Sequence, residues 1–222
     1  MVTWKTLGFL LLACIGLLQC NRQLTIIDLP ISFDEQRKHL SLDYLEKRYE
    51  IVKETPAITP KMVVVHYTVV PTWEKTYHVF FGPQLPGSRT AIQGASQLNV
   101  SSQYLIDRDG TVYQLLPDTV FARHVIGLNH SAIGIENVAD GDQLPMTDEQ
   151  LIANTKLIRQ LAAKYPIEYV IGHHEYQTFR NHPLWLETDA NYLTEKSDPG
   201  DEFMARLRQK LAKLNLKGPP GE

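Results

Sequence analysis

The chain has 222 residues, of which 43% are hydrophobic and 21% charged, with a formal net charge of −3. That length allows one domain with a sizeable core, the apolar share excludes a wholly disordered chain, and the lack of a basic surplus excludes a general affinity for nucleic acid. Neither a repeat of solenoid period nor a long low-complexity tract occurs.

The first twenty residues differ from the rest. MVTWK carries one positive charge and is followed by the apolar run TLGFLLLACIGLLQC, the length of a signal-peptide core and short of a comfortable bilayer span. Both cysteines, Cys14 and Cys20, fall in this segment, so the remaining chain has neither disulfides nor thiolate ligands for a metal. A cysteine that closes such a core resembles a bacterial lipoprotein signal. Cys20 gives the longer core, although Gln19 before it departs from the usual small residue. Cys14 fits that rule better but leaves a short core and an apolar mature end. A simple secretory signal and an uncleaved anchor are the other readings. All of them expect an exported protein, and the lipoprotein reading expects one in the periplasm or at the outer membrane, held by an N-terminal lipid anchor. Asn21 after Cys20, where Asp would retain the protein at the inner membrane, favours the outer membrane by analogy with enterobacterial sorting.

Residues 21–58 read as a tether and a short helix. Ser32 and Glu35 stand at capping-box spacing, and Leu42, Leu45 and Tyr49 follow at helical intervals, which predicts a helix around 41–50. MVVVHYTVV, 62–70, is a continuous β-branched run of the kind buried on both faces of a sheet. Residues 71–98 are loop-like, with a short helix near 74–80. SQYLIDRDGTVYQLL reads as a hairpin around Asp109-Gly110, and AIGIENV, 132–138, as a further strand. Thr147 and Gln150 form a second capping-box signal, followed by a helix over 148–164. EYVIG is a strand ending at His173. Asp198 and Pro199 read as the N-cap and first residue of a helix whose buried stripe is Phe203, Leu207, Leu211 and Leu214. Residues 217–222 read as a disordered tail. Strands mixed with helices, one hairpin among them, predict a single α/β domain with a mixed central sheet flanked by helices, its body at 59–216.

Taken one at a time, the polar residues have ordinary explanations. His39 lies in a polar helical stretch, and His78 and His182 lie in loops with no evident partner. His66 inside VVVHYTVV reads as a satisfied core histidine, His173 as a polar strand end, Asp198 as a cap, Glu136 as a strand-end carboxylate and Lys196 as a surface lysine. Together they are more telling. Two histidines and an aspartate form a donor set suited to Zn²⁺ with a fourth position open. A nearby carboxylate can serve as general base, and a lysine two residues before a ligand lies within reach of a developing oxyanion. Spacing does not establish this, and HHE is not the helical H-E-x-x-H of metalloproteases.

Five stretches, in order over 60–200, carry a resemblance: MVVVHYT, NVSSQYLIDRDGTVYQLLP, ARHVIGLNHSAIGIENV, YPIEYVIGHHE and KSDPG. The chain resembles the zinc-dependent N-acetylmuramoyl-L-alanine amidases of the AmpD type, relatives of phage T7 lysozyme and the peptidoglycan recognition proteins. The resemblance implies an amidase-like fold, His66, His173 and Asp198 as ligands of Zn²⁺, Glu136 as the carboxylate that activates water and Lys196 as the cation that stabilises the tetrahedral intermediate. It implies that His124 and Asn129 line the substrate groove, and that the histidine directly after the glycine, His173 and not His174, is the ligand. It also implies a monomer whose partner is peptidoglycan or a muropeptide, with the amide between N-acetylmuramic acid and L-alanine as the bond cut. The alternative is a non-catalytic peptidoglycan-binding module of the envelope, which would usually lack part of this set. A serine hydrolase is disfavoured because no G-x-S-x-G elbow occurs.

Two departures stand out. Ser102 aligns where the T7 enzyme has a catalytic tyrosine, which leaves Tyr104 as a core or wall residue and favours the Glu/Lys mechanism. The gap between His173 and Asp198 is also longer than in close members. Its insert at 175–195 carries Tyr176, Phe179, Trp185 and Tyr192, and reads either as a surface excursion packing its own aromatics or as a wall or lid that shapes the groove. Within it Asp189 competes with Asp198 as third ligand, but lacks the preceding lysine and the following Pro-Gly.

Overall fold

A computed structural model describes residues 24–87 and 89–221. The expected signal segment, with Cys14 and Cys20, lies outside the described residues. One six-stranded mixed sheet organises the fold. Its strands are β1 (Ile26–Asp28), β2 (Met62–Tyr67), β3 (Tyr104–Ile106), β4 (Val112–Gln114), β5 (Ala132–Asn137) and β6 (Tyr169–Gly172), in the order β1-β4-β3-β5-β2-β6. Among the strands of the described residues, β3 and β4 pair antiparallel and the other pairs are parallel. Around the sheet lie the helices α1 (Glu35–Tyr49), α2 (Trp73–Phe81), α3 (Thr90–Gln93), α4 (Asp148–Lys164) and α5 (Asp201–Leu211), with a 3-10 segment over His173–Asn181.

The centre of the sheet follows from composition. The side chains of β2 alternate between two cores: Val63 and Val65 pack with Leu157, Ile158 and Leu161 of α4 and Met204 and Leu207 of α5, while Met62 and Val64 pack on the other face with Leu128, Tyr176 and Phe179. Each of these valines is fully buried and contributes roughly 1.5–3 kcal/mol of transfer free energy. A strand with two apolar faces has to be interior and flanked on both edges, as β2 is by β5 and β6. The α4 helix begins where its capping box predicts: the Thr147 hydroxyl accepts from Gln150 N, and the Gln150 side chain accepts from Thr147 N.

Several expectations need correction. The N-terminal segment is not a tether. Ile26–Asp28 adds an edge strand beside β4, and α1 runs 15 residues from Asp34, whose carboxylate accepts from Arg37 N at 2.9 Å. Ser32 is no cap, since its hydroxyl donates to Asp34. The early turns of α1 escaped the apolar pattern because Arg37 and Ser41 occupy its buried positions. The Arg37 guanidinium donates to the carbonyls of Phe80 and Phe81 at the end of α2, groups that helix geometry leaves without partners; burial lowers its pKa to about 10.

The strand expected over 62–70 ends at Tyr67, because Val69 turns into the left-handed region at φ 57°. Asp198 and Pro199 do not open the last helix. Gly200, at φ 94°, separates them from α5, which starts at Asp201. Nor is 217–221 a free tail: Lys217 N donates to Glu168 O at 2.8 Å, Val170 N donates to Lys217 O at 2.9 Å, and Pro219 is buried.

The reach of the N-terminal helix into the core can be measured. Leu45 is fully buried beside Tyr44, Tyr49, Leu98 and Phe121. Leu45→Ala is expected to destabilise the protein by about 2–5 kcal/mol in chemical denaturation; a change below about 0.5 kcal/mol would restore the tether reading.

Candidate active site

Strand register brings the candidate residues together. His66 of β2 pairs with Glu136 of β5, and Val65 pairs with Gly172, the last residue of β6. Three parallel strands therefore end at one level, with His66, Glu136 and His173 at their C-terminal ends, where open α/β sheets bind ligands. Asp198 arrives from the loop before α5. Its Oδ2 lies 3.3 Å from His66 Nδ1 and 3.0 Å from His173 Nδ1, and the two imidazole rings are 4.4 Å apart. All three residues are buried.

The donor set fits a metal ion. One ligand atom from each of His66, His173 and Asp198 lies within 4.8 Å of the others. Two imidazoles and a carboxylate are the mixed N/O chemistry that Zn²⁺ accepts, and lone pairs that face one another away from water call for a cation among them. Burial, followed by the neighbouring imidazole of His66, pushes His173 down to about 4, so the ring is neutral near pH 7 and ready to donate a lone pair. Burial would raise Asp198, but the imidazoles of His173 and His66 beside it outweigh that and hold the carboxyl far below the usual range.

Glu136 is the second carboxylate at the cleft, after Asp198. Its Oε2 is buried without a hydrogen-bond partner. Burial raises its pKa; His66, Lys196 and Arg89 oppose that rise and Asp198 adds to it. Lys196 is exposed and lines the same cleft of about 300 Å³, as do His124 and Asn129. All seven candidate residues thus face one cavity.

The neighbouring alternatives lie elsewhere. His174 is turned away: its Nδ1 is 2.9 Å from the backbone oxygen of Asp198 and its Nε2 is 2.9 Å from Asp201. With Glu175 and Asp201 it makes a second His/carboxylate group, but Glu175 is also held by Arg208. Asp189 lies 3.7 Å from Arg48. Ser102 donates to the carbonyl of Tyr104, and Tyr104 is a core residue whose hydroxyl bonds Asp118. His182 does have a partner, Tyr169, at 3.1 Å.

The insert answers to both of its readings. Tyr176 and Phe179 are fully buried, and Trp185 stacks on Tyr176 with a six-membered ring edge against Gly127, where a Cβ would come within 2.6 Å. Tyr192 and Thr194, however, line the cleft. Arg123 ties this wall to the opposite one, donating to Tyr192 Oη at 3.1 Å and to the carbonyls of Ile92 and Leu98. Arg89 and Val69 also line the cleft and carried no sequence signal. Arg89 lies in an irregular stretch, and Val69 reads as more strand.

Val69 is a β-branched residue in the left-handed region, with 67% of its surface exposed at the rim. Such backbone placements cost of order 1–3 kcal/mol and gather at functional sites. Val69→Gly removes that strain, and the greater freedom of glycine in the unfolded chain offsets part of the gain. A net stabilisation of about 1 kcal/mol in denaturant melts is expected; a loss of stability would mean that the isopropyl group packs more than its exposure suggests.

Comparison with known proteins gives a consistent outcome. The family profile described as N-acetylmuramoyl-L-alanine amidase matches residues 56–201, a span that contains all seven candidate residues. Among solved structures, the endolysin N-acetylmuramoyl-L-alanine amidase LysCS from Clostridium intestinale URNW is 20% identical, over 88% of this chain and 98% of that one, with a TM-score of 0.52. The amidase LysC from the same organism is 20% identical, over 87% and 99%, with a TM-score of 0.53. A selenomethionine derivative of AmpD is 22% identical, over 83% and 93%, with a TM-score of 0.50. At these identities the likeness shows a shared fold. No curated protein matches the chain.

Proposed function

The chain belongs to the N-acetylmuramoyl-L-alanine amidase family, and from that premise we propose that it is a zinc-dependent hydrolase. Its substrate is the amide joining the lactyl group of N-acetylmuramic acid to L-alanine, in peptidoglycan or its fragments. The observation that carries the catalytic reading is Glu136: a carboxylate with an unpartnered buried oxygen, held by register next to His66 and open to the same cleft as His173 and Asp198. A module that only holds its ligand has no use for a raised, unpaired carboxylate there.

In this reading His66, His173 and Asp198 hold the ion, which when bound supplies Lewis-acid polarisation of the scissile carbonyl and makes water more acidic. Glu136 takes the proton from the attacking water. Burial favours its protonated form, which suits a group that accepts a proton and then passes it to the leaving amine. Lys196, exposed at the cleft, donates to the oxygen that becomes negative as the carbonyl carbon turns tetrahedral. The walls made by the insert and by the loop before β3 orient the stem peptide and limit water. We place the protein in the bacterial envelope, exported and lipid-anchored near its N terminus through Cys20 or Cys14, because its substrate lies outside the cytoplasm and the first twenty residues read as an export signal. It acts there as a monomer on muropeptide or intact wall.

Three variants and a chelator test the assignment. Glu136→Ala is expected to lower turnover of a soluble muropeptide by about 10²–10⁴-fold while zinc stays bound. Lys196→Ala should lower kcat about 10²-fold with a smaller change in KM. Asp198→Ala should lose the metal, and a chelator should stop wild-type turnover until Zn²⁺ is restored. Muropeptide binding by the zinc-loaded wild type without release of stem peptide would establish the binding module instead.

A further inference from the structure

The family resemblance puts His124 in the substrate groove, but its polar atoms point into the protein. Its Nδ1 is 3.0 Å from Nε2 of His66, and its Nε2 faces the backbone oxygen of Ala132 at 3.4 Å. The two rings are perpendicular, with centroids 5.1 Å apart. The placement is itself supported from two sides. Asn129 Oδ1 accepts from the backbone N–H of His124 at 2.9 Å and of Val125 at 2.8 Å. Beneath the ring lies Gly134 of β5, where an added Cβ would come within 2.9 Å of the imidazole. The strand leaves room for this ring and for little else.

Proton accounting then fixes both imidazoles. A carbonyl oxygen can only accept, so the single proton of neutral His124 belongs on Nε2, facing Ala132, and Nδ1 is left as an acceptor. The partner that fills that acceptor is the Nε2–H of His66. With Nε2 of His66 the donor of that pair, Nδ1 is the nitrogen left facing Asp198. We propose that His124 is a positioning residue that sets the tautomer and ring orientation of His66 through a relay from His66 Nε2–H to His124 Nδ1 and from His124 Nε2–H to Ala132 O. It thereby prepares His66 Nδ1 to bind a divalent cation. The proposal rests on the reading of His66, His173 and Asp198 as a metal centre. Partners of this kind tune metal affinity by about 10–100-fold.

The test uses zinc affinity, measured by chelator competition on the purified full chain, together with the histidine tautomers read from ¹⁵N chemical shifts in the metal-free protein. His124→Leu should weaken zinc binding by about 10–100-fold. His124→Asn, whose side-chain oxygen can replace Nδ1 as acceptor, should recover most of that affinity. Gly134→Ala, which pushes the ring away without touching any ligand, should weaken binding in the same direction. In the wild type His66 should be protonated at Nε2, and that preference should disappear in His124→Leu. The proposal is overturned if His66 carries its proton on Nδ1, or if His124→Leu binds zinc as tightly as wild type while KM for muropeptide rises, since His124 would then be a groove residue. Failure of the wild type to bind zinc would instead bring down the metal-centre reading, and the tautomer measurement would still decide the hydrogen bond.

Discussion

The ends of three parallel strands control this molecule. Because β5, β2 and β6 run in the same direction and stop at the same level, a carboxylate, an imidazole and a second imidazole emerge side by side from segments far apart in the chain. The pairing of His66 with Glu136 and of Val65 with Gly172 is enforced by the valines below them. A slip of one residue would turn Val63 and Val65 out of one core and Met62 and Val64 out of the other. The hydrophobic energy of the sheet is thus also what aims the polar groups, and the cost of burying lone pairs against one another is met by a scaffold too well packed to relax away from it.

The cleft is built on this base by residues that satisfy backbone rather than by residues that touch a ligand. Arg123 is buried, yet it spends its guanidinium on three carbonyls and the Tyr192 hydroxyl, and so fastens the loop before β3 to the insert after β6. Arg37 does similar work at the end of α2. A guanidinium offers five donors in a rigid fork, which allows one side chain to close several loose backbone ends at once. The resulting cavity has firm walls although much of its lining comes from irregular segments.

What could be read from the sequence, and what could not, divides along the same physical line. Elements driven by local signals were legible: the hairpin at Asp109-Gly110, the capping box at Thr147, the apolar run of β2. His66, His173, Asp198 and Glu136 could be singled out because their motifs stand next to such elements, and the structure brings them into one cavity. Three kinds of feature were hidden. Buried polar residues masked the length of α1, since Arg37 and Ser41 look exposed in a sequence. Backbone conformation hid the end of β2, because nothing in a valine announces a positive φ. Tertiary competition misled the reading of Asp198, whose carboxylate has good capping chemistry but is claimed by two imidazoles instead. His124 and Asn129 line that same cavity, while the atoms they commit to other parts of the protein could not be seen without coordinates.

The family match begins at residue 56, after α1 has ended. Yet Tyr49, in the last turn of that helix, receives a hydrogen bond from the Asn129 amide at 3.0 Å, and Asn129 holds the backbone that carries His124. Trimming the protein to its recognisable portion would therefore remove a foundation stone that supports His66 through Asn129 and His124.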